Sequence, residues 1–428
     1  MNNIIKEEYN DIKEIVYKKV LDNGLTVVIN KKEELNKVFA SFTTYFGARD
    51  NSFTFVDTNE EVKLPLGCAH FLEHKLFEMP NGIDASELFA KVGANSNAYT
   101  SDTETSYIVS CTSNINDVIL TLLDFVQTPC FTNENVKKEK GIIIEELKMY
   151  KDTPSDALRL MLFKNLYKYN VLREDIVGNI SSIKSITKEI LYLCYETFYH
   201  PSNMYLVISG DVDVDELFSL IENNQKNKSF KKPREIKRNY IIDQNPINRK
   251  LSYKNMDIMM PKVSIGVKLP LVKSNKSKMD LIGFIALENT FGASSSNYQY
   301  MLDNELMNNL TYSCSFEDTY SYLRVSANSI KPRELIKFVK KELLNLSNFE
   351  IKDLNIYRNA LIGSTLINFE SEEFICSYYT DFKFNGDNLF NKIKYINDIN
   401  ELDIKEFGKM INKDNIASCI IYPKNKER

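Results

Sequence analysis

The chain has 428 residues, enough for two to four ordinary domains, and its 43% hydrophobic and 26% charged residues can bury sizeable cores. Its 54 basic and 58 acidic residues leave a net charge of -4, which gives no general attraction to nucleic acid or an anionic membrane. No stretch reaches the ~18 apolar residues of a membrane span, and the polar opening Met1–Lys18 lacks the apolar region of a secretory signal.

In chain order, Val38–Tyr45 alternates as a strand, and Gly67–Met79 carries a helical pattern. A β-rich stretch follows at Ala98–Cys111, then an amphipathic helix at Ile115–Gln127 and a long helix at Glu134–Tyr150. A helix at Lys188–Tyr199 and an apolar strand at Met204–Ser209 close this half. The segment Asn223–Asn239 is polar, carries Pro233 and lacks either hydrophobic period; its basic run Lys226–Arg238 reads as a solvated linker. The same order then recurs: strand Val263–Leu269, helix Lys278–Phe291, β-rich Tyr312–Ala327, and helices Arg333–Leu346 and Ile351–Phe369. Helix Ile404–Ile411 and strand Ala417–Tyr422 close the second half.

A repeat this long predicts two copies of one α+β domain rather than a solenoid. Each copy should be sandwich-like, a mixed or antiparallel sheet with helices mainly on one face. The expected boundaries are 1–225 for the first domain, 226–245 for the linker and 246–428 for the second domain. The seven cysteines are scattered, odd in number and in no CxxC pair. They read as small buried hydrophobes in a reducing compartment, with the cytoplasm as the expected location.

Two of the three histidines stand in His70-Phe71-Leu72-Glu73-His74. On a helix, positions i and i+4 share a face, so both imidazoles can reach one cation. Zinc prefers such ligands, and a catalytic site keeps one position for water. Glu73, at i+3 from His70, lies on nearly the same face and can serve as the base for that water. HxxEH is the inverse of the HExxH signature of zinc peptidases. A third ligand is needed, and the segment Glu139–Glu146 offers candidates. Glu139 and Glu146 are two turns apart on one face, while Glu145 competes with Glu146 for the role. Cys68 lies about 200° from His70 around the helix and faces away. His200, just before Pro201, reads as structural.

The passage from Gly67 to Pro80, with HFLEH at its centre, resembles the active-site helix of the pitrilysin–insulysin (M16) zinc peptidases, a family that includes mitochondrial processing peptidase. Glu139 and Glu146, with the following Lys148–Pro154, resemble the family's second zinc-site helix. The resemblance implies Glu146 as third ligand to one zinc per chain, and Glu139 as a supporting carboxylate behind a ligating histidine. Gly93–Thr100 resembles the substrate-binding edge strand, where a peptide would add as a strand near Asn97 and Ala98. Phe46–Arg49 and Phe198–Gly210 also fit the first domain. The implied activity is a metalloendopeptidase of short or unfolded peptides. The alternatives are a non-hydrolytic assembly subunit and a processing peptidase dedicated to one precursor.

In many members the second domain supplies an Arg and a Tyr to the substrate. Here Tyr312 can stand for the Tyr, but Glu305 or Asp303 falls where the Arg would be. The expected partner is therefore a paralogous chain that lacks HxxEH and carries the Arg and Tyr, in a heterodimer; a homodimer is second. Neither nucleic acid nor membrane is expected as a partner.

Overall fold

The computed structural model describes residues 4–80, 82–348 and 353–424. Ten strands precede residue 250: β1 (Ile5–Tyr9), β2 (Glu14–Val20), β3 (Thr26–Lys31), β4 (Val38–Thr44), β5 (Ser52–Phe55), β6 (Glu61–Lys63), β7 (Asn95–Thr100), β8 (Thr105–Cys111), β9 (Met204–Gly210) and β10 (Ile236–Arg238). Five follow: β11 (Leu251–Met256), β12 (Lys262–Lys268), β13 (Asn308–Phe316), β14 (Ser321–Asn328) and β15 (Ile416–Pro423).

They form a seven-stranded sheet of order β1-β2-β3-β9-β4-β8-β7, a five-stranded sheet of order β11-β15-β12-β14-β13, and a small β10-β5-β6 sheet. The two large sheets repeat one topology. In each, the last strand inserts between the first two, parallel to one neighbour (β3 or β11) and antiparallel to the other (β4 or β12). The β1–β2 hairpin is extra to the first copy. Both copies are mixed sheets with helices packed on them, the α+β architecture expected from the pattern.

The second face of each sheet is where the sequence reading was incomplete. β4 is buried at every position. Its Val38, Ala40 and Phe42 pack into the core of the first half, while Phe39 meets Cys376 and Tyr379 of the helix Glu372–Phe384. The Ser41 hydroxyl donates to the Cys376 carbonyl at 2.9 Å. Conversely, the helix Pro154–Leu166 of the first half lays Leu158, Leu162, Phe163 and Leu166 against Ala417, Cys419 and Ile421 of β15. Gly266 of β12 permits that approach, because a Cβ there would lie 2.9 Å from both Leu162 and Leu166. Each half thus covers its own sheet on one face and its partner's sheet on the other.

The basic run Lys226–Arg238 is not simply solvated linker. It ends in β10, which pairs antiparallel with β5. Arg234 makes two hydrogen bonds to the Asp57 carboxylate, at 3.1 and 2.7 Å. Arg238 is largely buried and bonds Asp50 and the Tyr45 carbonyl. The run hid a short strand, and its Arg234 and Arg238 have fixed partners. The first residues of the expected helix Ile351–Phe369 lie outside the described residues; the remainder is helical from Leu354 to Phe369. Among the described residues no helix is long and apolar enough to cross a membrane.

Candidate active site

The site rests on two helices packed across one another. The first, Cys68–Leu76, begins after Gly67 at φ 90°. A Cβ at Gly67 would meet the Val177 carbonyl oxygen at 2.3 Å, so both the turn and the space demand glycine. Phe71 and Leu72 are fully buried and fix the helix rotation. His70, Glu73 and His74 then share the opposite face, as i, i+3 and i+4 positions must. The second helix, Asn133–Asp152, starts at a capping box between Thr132 and Asn135 and anchors Val136, Ile143 and Leu147 in the core. That rotation turns Glu139 and Glu146 toward the histidines.

His70 Nε2 lies 3.7 Å from one Glu146 oxygen, and His74 Nε2 lies 3.4 Å from the other. One ligating atom from each of the three residues falls within 4.8 Å of the others. Behind them, His74 Nδ1 meets Glu139 Oε1 at 3.1 Å. A proton on Nδ1 therefore leaves the Nε2 lone pair free on the Glu146 side. Glu139 also faces the buried Lys75 ammonium at 3.5 Å, and Lys75 bonds Glu78 as well. Glu73 accepts a hydrogen bond from the Thr100 hydroxyl on β7.

The electrostatics follow from burial and neighbours. Burial, then the His74 charge, push His70 down to about 3, so it is neutral at physiological pH. Burial also works against a charged His74, but the Glu139 hydrogen bond and the Glu146 and Glu73 charges outweigh it and raise its pKa. Burial raises the Glu73 carboxyl, opposed by the Thr100 bond and the His74 charge and reinforced by Glu146. Burial opposes ionised Glu139, yet the bonds from His74 and Lys75 hold it below the ordinary range.

Several candidate residues are separated by the fold. Glu145 is largely exposed and pairs with Lys148, away from the histidines. Cys68 is buried and its thiol neighbours Cys194. His200 accepts the Ser202 N–H through Nδ1 and caps a short turn, the structural role expected of it. Asn97 and Ala98 lie on β7, the edge strand of the first sheet, and line a cavity of about 480 Å³ with Glu73, His74, Phe77 and Glu139. Asn97 Oδ1 accepts the Ala98 N–H at 2.9 Å. Two participants were not read from the sequence. Thr100 gave no local sign of bonding Glu73, and nothing in the sequence marked Lys75 as a partner of Glu139.

The donor set suits zinc: two imidazole nitrogens and one carboxylate oxygen converge with room for a further ligand. The buried His70 Nδ1 and Glu146 Oε2 have no hydrogen-bond partner among the described residues. A carboxylate oxygen left so between two imidazoles is what a cation would satisfy.

Two family models match the chain: Insulinase (Peptidase family M16) over residues 58–179, and Peptidase M16 inactive domain over residues 185–361. Over 425 residues, 98% of this chain and 99% of the relative, it is 37% identical to the Bacillus subtilis protein named uncharacterized zinc protease YmfH. The chain belongs to peptidase family M16. Its fold matches an M16-like peptidase from Alicyclobacillus acidocaldarius with a TM-score of 0.90 at 31% identity, covering 99% of each chain. A Helicobacter pylori protease shares the fold at 20% identity, with a TM-score of 0.83, covering 95% of this chain and 99% of that one. The HxxEH helix and Glu146 both fall inside the first M16 match. The inactive-domain match begins after them and covers β9 and most of the second half.

Proposed function

We propose that this M16 protein is a zinc-dependent endopeptidase acting on short or unfolded peptides. The observation that carries the reading is the convergence of His70, His74 and Glu146 beside a buried Glu73. His70 Nε2, His74 Nε2 and a Glu146 oxygen would hold one zinc. When bound, zinc supplies a Lewis acid that makes water nucleophilic at neutral pH and polarises the peptide carbonyl.

The protein residues do the rest. Glu73 accepts the proton of the attacking water and returns it to the leaving amine nitrogen. Its burial favours the protonated form, which helps the second transfer. Thr100 fixes one Glu73 oxygen and leaves the other to face the reacting centre. A substrate strand adds along β7, which has β8 on one side only. The Asn97 side chain, which holds the Ala98 N–H, moves aside as the substrate carbonyl takes that donor.

The clamp opposite the zinc comes from a second chain. The Tyr312 hydroxyl donates to Glu288, within its own half. Glu305 and Asp303 stand where the clamp Arg is sought, and Glu305 pairs with Lys331. A paralogue lacking HxxEH and carrying the Arg completes the site in a heterodimer, with a homodimer second. A similar Arabidopsis protein, 29% identical over 163 residues, carries the name probable mitochondrial-processing peptidase subunit beta, which supports a role as one subunit of an assembly. The seven free cysteines, five of them buried, support the cytoplasm.

The test is zinc content of the purified chain beside His74→Ala. One zinc per chain, lost in the variant, is expected. A folded wild type that takes up no zinc when zinc is supplied overturns the reading.

A further inference from the structure

The second sheet carries a cationic pocket that the metal site does not use. Along β14, Leu323, Val325 and Ala327 point into the core of the second half. By alternation, Tyr322, Arg324, Ser326 and Asn328 face the helix Pro154–Leu166 that crosses from the first half. On that helix Ser155, Arg159 and Phe163 form one i, i+4, i+8 stripe.

The stripe and the strand run in step. Phe163 packs on Tyr322 with ring centroids 4.9 Å apart, so this end of the contact is apolar. One turn earlier, Arg159 and Arg324 line a single cavity of about 310 Å³. Lys262, Ser155, Ser264 and Ser326 line it too, and no acidic side chain does. The floor is already satisfied: Ser264 and Ser326 bond each other at 2.7 Å, and Lys262 donates to Asn328 at 3.1 Å. Neither guanidinium makes a hydrogen bond or ion pair among the described residues. Arg159 only touches the Phe163 ring and favours the charge of the half-buried Asp102. At this rim β13 bulges between Asn308 and Thr311, with Asn309 at φ 55°, which opens the sheet edge.

Two arginines and a lysine around a cavity with no acid in its lining repel one another, in a chain whose net charge is -4. A planar carboxylate suits the gap, because guanidinium groups take it in paired hydrogen bonds. The location ties the pocket to the metal site. The helix bearing Glu146 ends at Asp152, and the crossing helix begins at Pro154. Thr153, in extended conformation, joins the two helices, so Glu146 and Arg159, thirteen positions apart in sequence, can be no more than about 25 Å apart. An extended peptide covers such a span in about eight residues or fewer.

We propose that Arg159, Arg324 and Lys262 form a subsite for a carboxylate of the bound peptide, within about eight residues of the scissile bond. This rests on the peptidase reading for the identity of the ligand. The carboxylate is either the free C-terminus or an Asp or Glu side chain, and the site takes both by the same chemistry.

The test uses the zinc-loaded Glu73→Gln protein, which binds without turnover, and fluorescent unfolded peptides free of internal acids. Affinity is measured for the free-acid peptide, its C-terminal amide, and the amide with one Glu scanned along it. Amidation weakens binding about tenfold, and in Arg324→Gln or Arg159→Gln the difference shrinks to within about twofold. Recovery by a scanned Glu assigns the subsite to side chains as well. The two arginines sit on different elements, so a folding defect in one variant leaves the other as the test. Equal affinity for all three peptides, or an undiminished preference in both variants, overturns the subsite. If the preference stands but the wild type cleaves nothing, the peptidase reading fails and the subsite remains.

Discussion

Replacing Glu139 with Gln separates the proposed zinc-site architecture from generic helix packing. Glu139 makes two contacts: His74 Nδ1 at 3.1 Å and the buried Lys75 ammonium at 3.5 Å. Gln keeps the length and one acceptor oxygen, so the His74 ring can hold its orientation. It loses the charge that strengthens the bond and raises the basicity of Nε2. Loss of such a supporting group typically weakens metal binding 10–100-fold, about 1.4–2.8 kcal/mol. Lys75 retains Glu78, so the metal-free protein should lose only about 1 kcal/mol of stability. Competition with a chromophoric chelator gives the zinc affinity, and thermal melting of the metal-free protein gives the second number. Glu145→Gln, which alters an exposed pair with Lys148, is the control and should change neither. Zinc affinity within twofold of wild type in Glu139→Gln would refute the reasoning, as would an equal loss in the control.

Two further predictions concern the join between the halves. Leu162 is fully buried between the crossing helix and β15, so Leu162→Ala should cost about 2–5 kcal/mol in urea unfolding; a loss under about 1 kcal/mol would mean the crossed helix carries little stability. Burial, then repulsion from Asp381, push the Glu104 carboxyl up to about 8, against bonds from Tyr99 and Thr380. Its contribution is therefore present below its ordinary value of about 4.5 and lost as pH rises toward 8, at up to about 1.4 kcal/mol per pH unit. Glu104→Gln, neutral throughout and still able to accept from Tyr99, should raise the melting temperature at pH 8 more than at pH 5. An equal change at both pH values contradicts this assignment.

Much of the candidate metal cluster was legible because helix spacing alone dictates it. His70, Glu73 and His74 sit on one face for any helix through HFLEH. The choice of Glu146 over Glu145 was not legible from spacing near the motif. It depends on how the second helix is rotated, and that is set by Ile143 and Leu147 in a core formed by distant segments. The repeat was legible as an order of elements, and the matching topology of the two sheets follows it. The crossed helices were not: Pro154–Leu166 and Glu372–Phe384 each bury one face against strands far away in sequence. β10 was hidden because its three residues take their partners from β5, some 180 residues earlier. Thr100 escaped for the same reason, since its bond to Glu73 exists only once β7 lies beside the histidine helix.

The most direct test of the central claim is peptide hydrolysis by wild type and Glu73→Gln, each shown to hold the same amount of zinc and each mixed with the completing partner chain. The account predicts cleavage of an unfolded peptide by the wild type and a loss of at least a hundredfold in the variant, because Glu73 moves the proton. Equal rates in the two, or no cleavage by either with zinc in place, would contradict it.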